Sequence, residues 1–146
     1  MKEKIIFPII KFDRFSFEII PCLDILTKTT SAGLRNRLFE NIVIVDSNGF
    51  TYFVKNATKV KGLGRFFGYN IFLNQTILVD LNFEPNIEKI QLNDLKKKMV
   101  KNVHKEKAFW ASGGNFDKII ELINHSESIN ALISDLGEVV NKVYHA

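Results

Sequence analysis

Apolar residues recur at every second position along much of the N-terminal two-thirds of this chain, and at every third or fourth position in the remainder. A period of two sends successive side chains to opposite faces of a strand, whereas a period near 3.6 lines up one stripe of a helix. Residues 3–12 and 15–20 are apolar, β-branched runs split by Asp13-Arg14, which predicts two strands and a tight connection. Pro8 has no N–H to give to a ladder, so the first strand is expected at an edge or bulged there. The alternation in Phe15-Ser16-Phe17-Glu18-Ile19 sets an apolar face against a polar one. Residues 42–45 and 50–54 flank Asp46-Ser47-Asn48-Gly49, and Asn-Gly accepts the positive φ angles of tight turns, so these runs predict a β-hairpin.

Between these pairs the pattern is weaker. Across residues 21–40, Leu23, Ile25 and Leu26 fit either a helical turn or a strand end, and 27–33 is loop-like. Leu34, Leu38 and Phe39 have the spacing of a short helix with Arg35 and Arg37 facing water. Gly62, Gly64 and Gly68 predict a flexible loop over 59–68 that ends in Phe66-Phe67. Residues 69–73 and 76–83 predict another strand pair turning at Asn74-Gln75. Pro85 is expected to end the second of these, with one more short strand at 87–92.

The period then changes. Asn93 is expected to cap a helix in which Leu95, Met99, Val100 and Val103 form the buried stripe. Ser112-Gly113-Gly114 breaks the chain. Asn115 opens a second helix burying Phe116, Ile119, Ile120 and Ile123. Ser126 or Ser128 opens a third, burying Ile129, Leu132, Ile133, Leu136, Val140 and Val143, with Gly137 marking a helix end or a close contact. Strands followed by helices predict an α+β fold. The expectation is one domain spanning residues 1–146, with an antiparallel sheet of five to seven strands and two or three C-terminal helices packed on one face.

Composition adds constraints. With 46% hydrophobic and 25% charged residues, 146 residues suffice for one core without a disulfide or metal staple. Cys22 stands alone and cannot form an internal disulfide. The basic start Met1-Lys2-Glu3-Lys4 precedes an apolar run that Pro8 breaks and that lacks a small-residue cleavage site. No stretch approaches a membrane span of about 20 apolar residues. These readings make a cytoplasmic, non-membrane protein the expectation. The net charge of +4 is unevenly placed: from Asn115 onward Asp117, Glu121, Glu127, Asp135 and Glu138 outnumber Lys118 and Lys142, giving −3 and leaving +7 on the rest. Such polarity either steers a partner or simply keeps the chain soluble.

Catalytic chemistry finds little purchase in the pattern. His104, His125 and His145 include no i, i+4 pair, and there is no Cys-x-x-Cys element, so no metal or other cofactor is expected. His104 and His125, near helix ends, are placed to meet free carbonyls. Cys22 reads as a small buried hydrophobe. Ser112 lacks the glycine two positions before it that a nucleophile elbow carries. Glu84, Glu88 and Asp94 sit among Lys89 and Lys96 as surface charges. The Gly62/Gly64/Gly68 run precedes a strand, whereas phosphate loops open a helix. Arg65 with Phe66 and Phe67 has the composition of an exposed arginine–aromatic patch.

The candidates for partner binding are therefore Lys97, Lys98, Lys101 and Lys105, clustered opposite the apolar stripe of the first C-terminal helix, with Trp110, Asp117 and Glu121. A lysine-covered helix face is also what solvent exposure alone selects. Trp110 either plugs the helices onto the sheet or anchors a partner.

The string FWASGGNFDKIIELI, with the lysine-rich helix before it, resembles small single-domain immunity proteins of bacterial polymorphic-toxin and contact-dependent growth inhibition systems. The resemblance covers the C-terminal half and transfers no site residue. It implies a cytoplasmic protein that binds a cognate toxin domain and blocks its active site or partner contact. Inhibitors of nucleases often present acidic surfaces; this chain is basic, and only its C-terminal helices fit that form. The leading expectation is a non-catalytic toxin-binding protein. The alternatives are a nucleic-acid-binding module using the lysine face and a small enzyme whose site the sequence does not reveal.

Overall fold

A computed structural model describes residues 4–13, 16–64, 68, 75–112 and 114–145, with side chains of the last helix through residue 140. The two expected periods separate the molecule into a sheet and a helical layer. The strands are β1 (Ile9–Phe12), β2 (Phe17–Ile20), β3 (Lys28–Thr30), β4 (Ile42–Val45), β5 (Phe50–Gly62) and β6 (Thr76–Lys89). They form an antiparallel sheet in the order β2-β1-β4-β5-β6-β3. Two short helices, α1 (Leu23–Leu26) and α2 (Ser31–Arg35), flank β3 in the chain. Four more follow the sheet: α3 (Leu92–Lys105), α4 (Lys107–Ser112), α5 (Phe116–His125) and α6 (Ile129–His145). The expected α+β architecture is the one observed. The predicted strand at 69–73, its turn at Asn74, and the Arg65-Phe66-Phe67 patch lie outside the described residues.

Sheet residues are buried on both sides. Ile9 and Ile10 are neighbours on β1, so they point to opposite faces, and neither has any exposed surface. Ile19 with Ile20, and Ile44 with Val45, repeat this on β2 and β4. Ile10, Phe12, Phe17, Ile19 and Val45 meet the helical layer, where Leu95, Met99, Val103, Ile119, Ile123, Leu132 and Ile133 complete a core. On the other face, Ile9, Ile20, Ile42 and Ile44 meet Tyr52, Val54, Ile77, Val79 and Leu81 from the curled β5–β6 half, with Leu26 and Phe39 closing the space. Each fully buried aliphatic side chain stabilises the fold by about 1.5–3 kcal/mol.

Several local expectations are corrected. Pro8 stands just before β1, and β1 runs in the interior of the sheet between β2 and β4, so the missing N–H costs no ladder bond. Residues 4–8 are strapped to the β4–β5 turn instead of extending the strand: Ser47 N–H donates to Ile6 O at 3.1 Å and Ser47 Oγ to Pro8 O at 2.6 Å. Pro85 does not end β6. The register runs from Tyr52↔Ile87 to Val54↔Phe83, so extra residues around Pro85 bulge out and leave it without a ladder obligation. Of the short strand expected at 87–92, only 87–89 is strand, as the continuation of β6, and Leu92 already opens α3. Gln91, two residues earlier than expected, occupies the N-cap of α3, and Asn93 lies inside the first turn. Of the helix expected from Leu34 to Phe39 only 34–35 is helical, as the end of α2, because Arg37 takes a left-handed φ of 59°.

Gly137 lies inside α6, facing β2, and marks neither a helix end nor an approach that excludes a side chain. A Cβ there would meet Ile19 Cγ2 of β2 at 3.4 Å, which is ordinary contact. The β4–β5 turn needs positive φ only at Gly49, at 85°, where Asp46 O accepts from Gly49 N–H at 2.9 Å. The Asp46 carboxylate, wholly buried, accepts from Asn48 N–H at 2.9 Å, Phe50 N–H at 3.0 Å and Ile6 N–H at 3.3 Å. Removing this carboxylate leaves these donors without their partner. Asp46→Ala is expected to lower the unfolding free energy by roughly 3 kcal/mol, read by urea denaturation. Gly137→Ala is expected to raise it by up to about 1 kcal/mol in the same measurement, because helix propensity improves and the added methyl group fits.

Candidate protein-interaction surface

The stripe Leu95, Met99 and Val103, each without exposed surface, fixes how α3 is rotated about its axis. Lys97, Lys98, Lys101 and Lys105 then follow from a rotation of 100° per residue onto the outward ridge, and all four are exposed. Lys96 sits to one side, donating to Asn124 O at 3.1 Å, while the His104 and Phe116 rings lie 5.4 Å apart. Those contacts make α3 and α5 antiparallel neighbours. Asp117 and Glu121 occupy the exposed side of α5. A ridge of four lysines thus lies on the helix beside one that displays two acids.

None of these six charges is paired within the described residues. The ion pairs there are Lys11–Glu18 at 3.1 Å, Arg37–Glu40 at 3.8 Å and Lys55–Glu84 at 3.7 Å, none on the helical layer. Lys98 differs from its neighbours in having an aromatic partner: its ammonium lies 4.3 Å from the Phe12 ring centroid. Burial by the surrounding protein pushes the Lys98 pKa below its ordinary lysine value.

Trp110 packs. It is 4% exposed, stacks on Phe17 at 5.2 Å, and presents its buried Nε1 to no hydrogen-bond acceptor among the described residues. Phe109, which meets the indole edge-on at 5.2 Å, is 47% exposed. Helical phase could have separated the two, since Trp110 lies two turns beyond Val103 on the buried stripe. Sequence reasoning did not single out Phe109 as the outward ring.

The remaining candidate chemistry is dispersed. His125 Nδ1 donates to Glu121 O at 2.7 Å, as expected of a histidine at a helix end, whereas His104 rests on Phe116. Ser112 Oγ donates to Phe109 O at 2.7 Å, a bond within its own helix. Cys22 is exposed, against the expectation of burial, because it precedes α1 at the surface. Among the described residues no three His, Cys, Asp or Glu side chains group as metal ligands, and no helix is long and apolar enough to cross a membrane. An open cleft of about 460 Å³ lies over Val43 and Phe53, rimmed by Asn41, Glu84, Asn86 and Glu88. A second, of about 310 Å³, holds Lys11, Asp13, Glu18, Arg37 and Glu40. Comparison with protein-family models, curated proteins and solved structures returns no match.

The depressed pKa of Lys98 has a definite sign in stability. The unfolded chain holds that proton more tightly than the folded one, so the native state gains stability as pH rises through the folded pKa toward 10.5. Lys98→Met, which keeps the stem over Phe12 and removes the charge, is expected to be at least as stable as the parent at pH 7. Its advantage should shrink as pH approaches 10.5, read as the difference between paired urea titrations.

Proposed function

We propose that this chain is a non-catalytic, protein-binding module, an immunity protein that binds and neutralises a cognate bacterial toxin domain in the cytoplasm. The observation that carries this reading is the pair of neighbouring helices α3 and α5, whose outward charges are of both signs and are unpaired among the described residues. Charges left open on a rigid layer suit a partner of complementary pattern, where they steer encounter and fix register. The resemblance of the C-terminal half to immunity proteins points the same way.

The lysine ridge alone also favours a second reading, binding of a nucleic-acid backbone. Asp117 and Glu121 weigh against it, since they would repel phosphates approaching the same layer. The two readings differ in salt response: phosphate binding releases counterions and weakens steeply as salt rises.

Co-expression with a candidate toxin domain from the adjacent reading frame is the test. The expected result is restored growth and a complex that survives co-purification, with both lost when Lys97 and Lys101 are changed to Glu. Failure of the unaltered chain to rescue growth and to co-purify would remove the reading.

A further inference from the structure

The line of lysines does not end with α3. Glu106, with ψ 33°, breaks the helix as the C-cap of α3; its N–H donates to Asn102 O at 3.1 Å and its carbonyl accepts from Trp110 N–H at 3.2 Å, so α4 begins directly beyond that break. Lys101 and Lys105 in the last turns of α3 and Phe109 in the first turn of α4 therefore flank one junction, with the two lysines exposed and the phenyl ring 47% exposed. Behind that ring lies a firm support. Phe109 abuts Trp110, Trp110 stacks on Phe17 at 5.2 Å, and Phe17 meets Phe12 at 6.0 Å beneath Lys98.

We infer that the α3–α4 junction is the centre of the partner contact: Phe109 enters an apolar pocket of a protein, and Lys101 and Lys105 meet carboxylates on the rim of that pocket. This rests on the protein-binding reading above and specifies its surface and the chemistry of its partner. An aromatic ring backed by a packed core loses little conformational freedom on binding, which suits it as an anchor. Anchors of this kind work best when a polar rim shuts out water. The lysines ask for an acidic rim, while Asp117 and Glu121 on the adjoining helix disfavour a phosphate backbone.

The 146-residue chain carries one tryptophan, and it touches Phe109, so its emission reports on this junction. With a candidate toxin domain from the adjacent reading frame as probe, binding is expected to shift that emission. Phe109→Ser should weaken Kd by about tenfold or more, and Lys101→Glu with Lys105→Glu by about a hundredfold, with unfolding transitions unchanged. If the toxin domain binds the unaltered chain and both variants equally, the epitope is wrong and the protein-binding function stands.

If the toxin domain does not bind the unaltered chain, the toxin reading falls and two further probes judge the epitope. Polyglutamate should shift the tryptophan emission of the parent and not of the double lysine variant, whereas a thymidine oligonucleotide at equal charge should not. Tighter binding of the oligonucleotide, or no response to either probe, would overturn the inference.

Discussion

Burial of β1 and β4 on both faces is the constraint from which the rest of this molecule follows. Adjacent residues in a strand point in opposite directions, so a strand apolar at consecutive positions needs cover above and below. Ile9 with Ile10 and Ile44 with Val45 impose that demand. The helices answer it on one side. On the other, the long β5–β6 hairpin curls round and brings Tyr52, Val54, Ile77 and Val79 against Ile9 and Ile44. The buried Asp46 carboxylate binds the β4–β5 turn to the N-terminal segment and so joins the two halves of this arrangement.

The surface proposed for function is the reverse side of that solution. Because Leu95, Met99 and Val103 are committed to the sheet, the rotation of α3 is set, and its lysines have nowhere to go but outward. α5 is committed in the same way by Ile119 and Ile123, which leaves Asp117 and Glu121 outside. The charges are thus held on a platform whose inner face is close-packed, and a partner meeting them would not have to order the helices first. Phe109 belongs to the same logic, since the turn that buries Trp110 turns its neighbour to solvent.

What could be read in the sequence was whatever rested on periodicity. The β4–β5 hairpin, the alternation of Phe17-Glu18-Ile19, the stripes of α3 and α5, that of α6 as far as Val140, and the outward lysines all follow from one side-chain period at a time and are present, while Val143 lies outside the described side chains. The division into sheet and helical layer was legible for the same reason. Features that depend on tertiary context were not. Pro85 reads locally as a strand end, yet a bulge accommodates it because β5 continues to pair on either side. Residues 4–8 read as strand, yet Asp46 and Ser47 claim their backbone groups. Residues 21–40 were opaque because β3 and α2 are short and are held largely by non-local bonds, such as Ser31 N–H to Gln75 O at 2.7 Å. The pairing of Lys98 with Phe12 joins α3 to β1 and leaves no trace in either segment alone.

Native-state hydrogen exchange along a urea series tests the two-sided sheet most directly, because it separates amides released by local opening from those released only when the whole domain unfolds. The account predicts that the amides of Ile10, Ile44 and Val45 exchange only through global unfolding, with the full denaturant dependence of that transition. The amides of α4, and of β5 beyond Asn56, should exchange through smaller openings. Exchange of the β1 amides with little dependence on urea, while α3 and α6 stay protected, would contradict it.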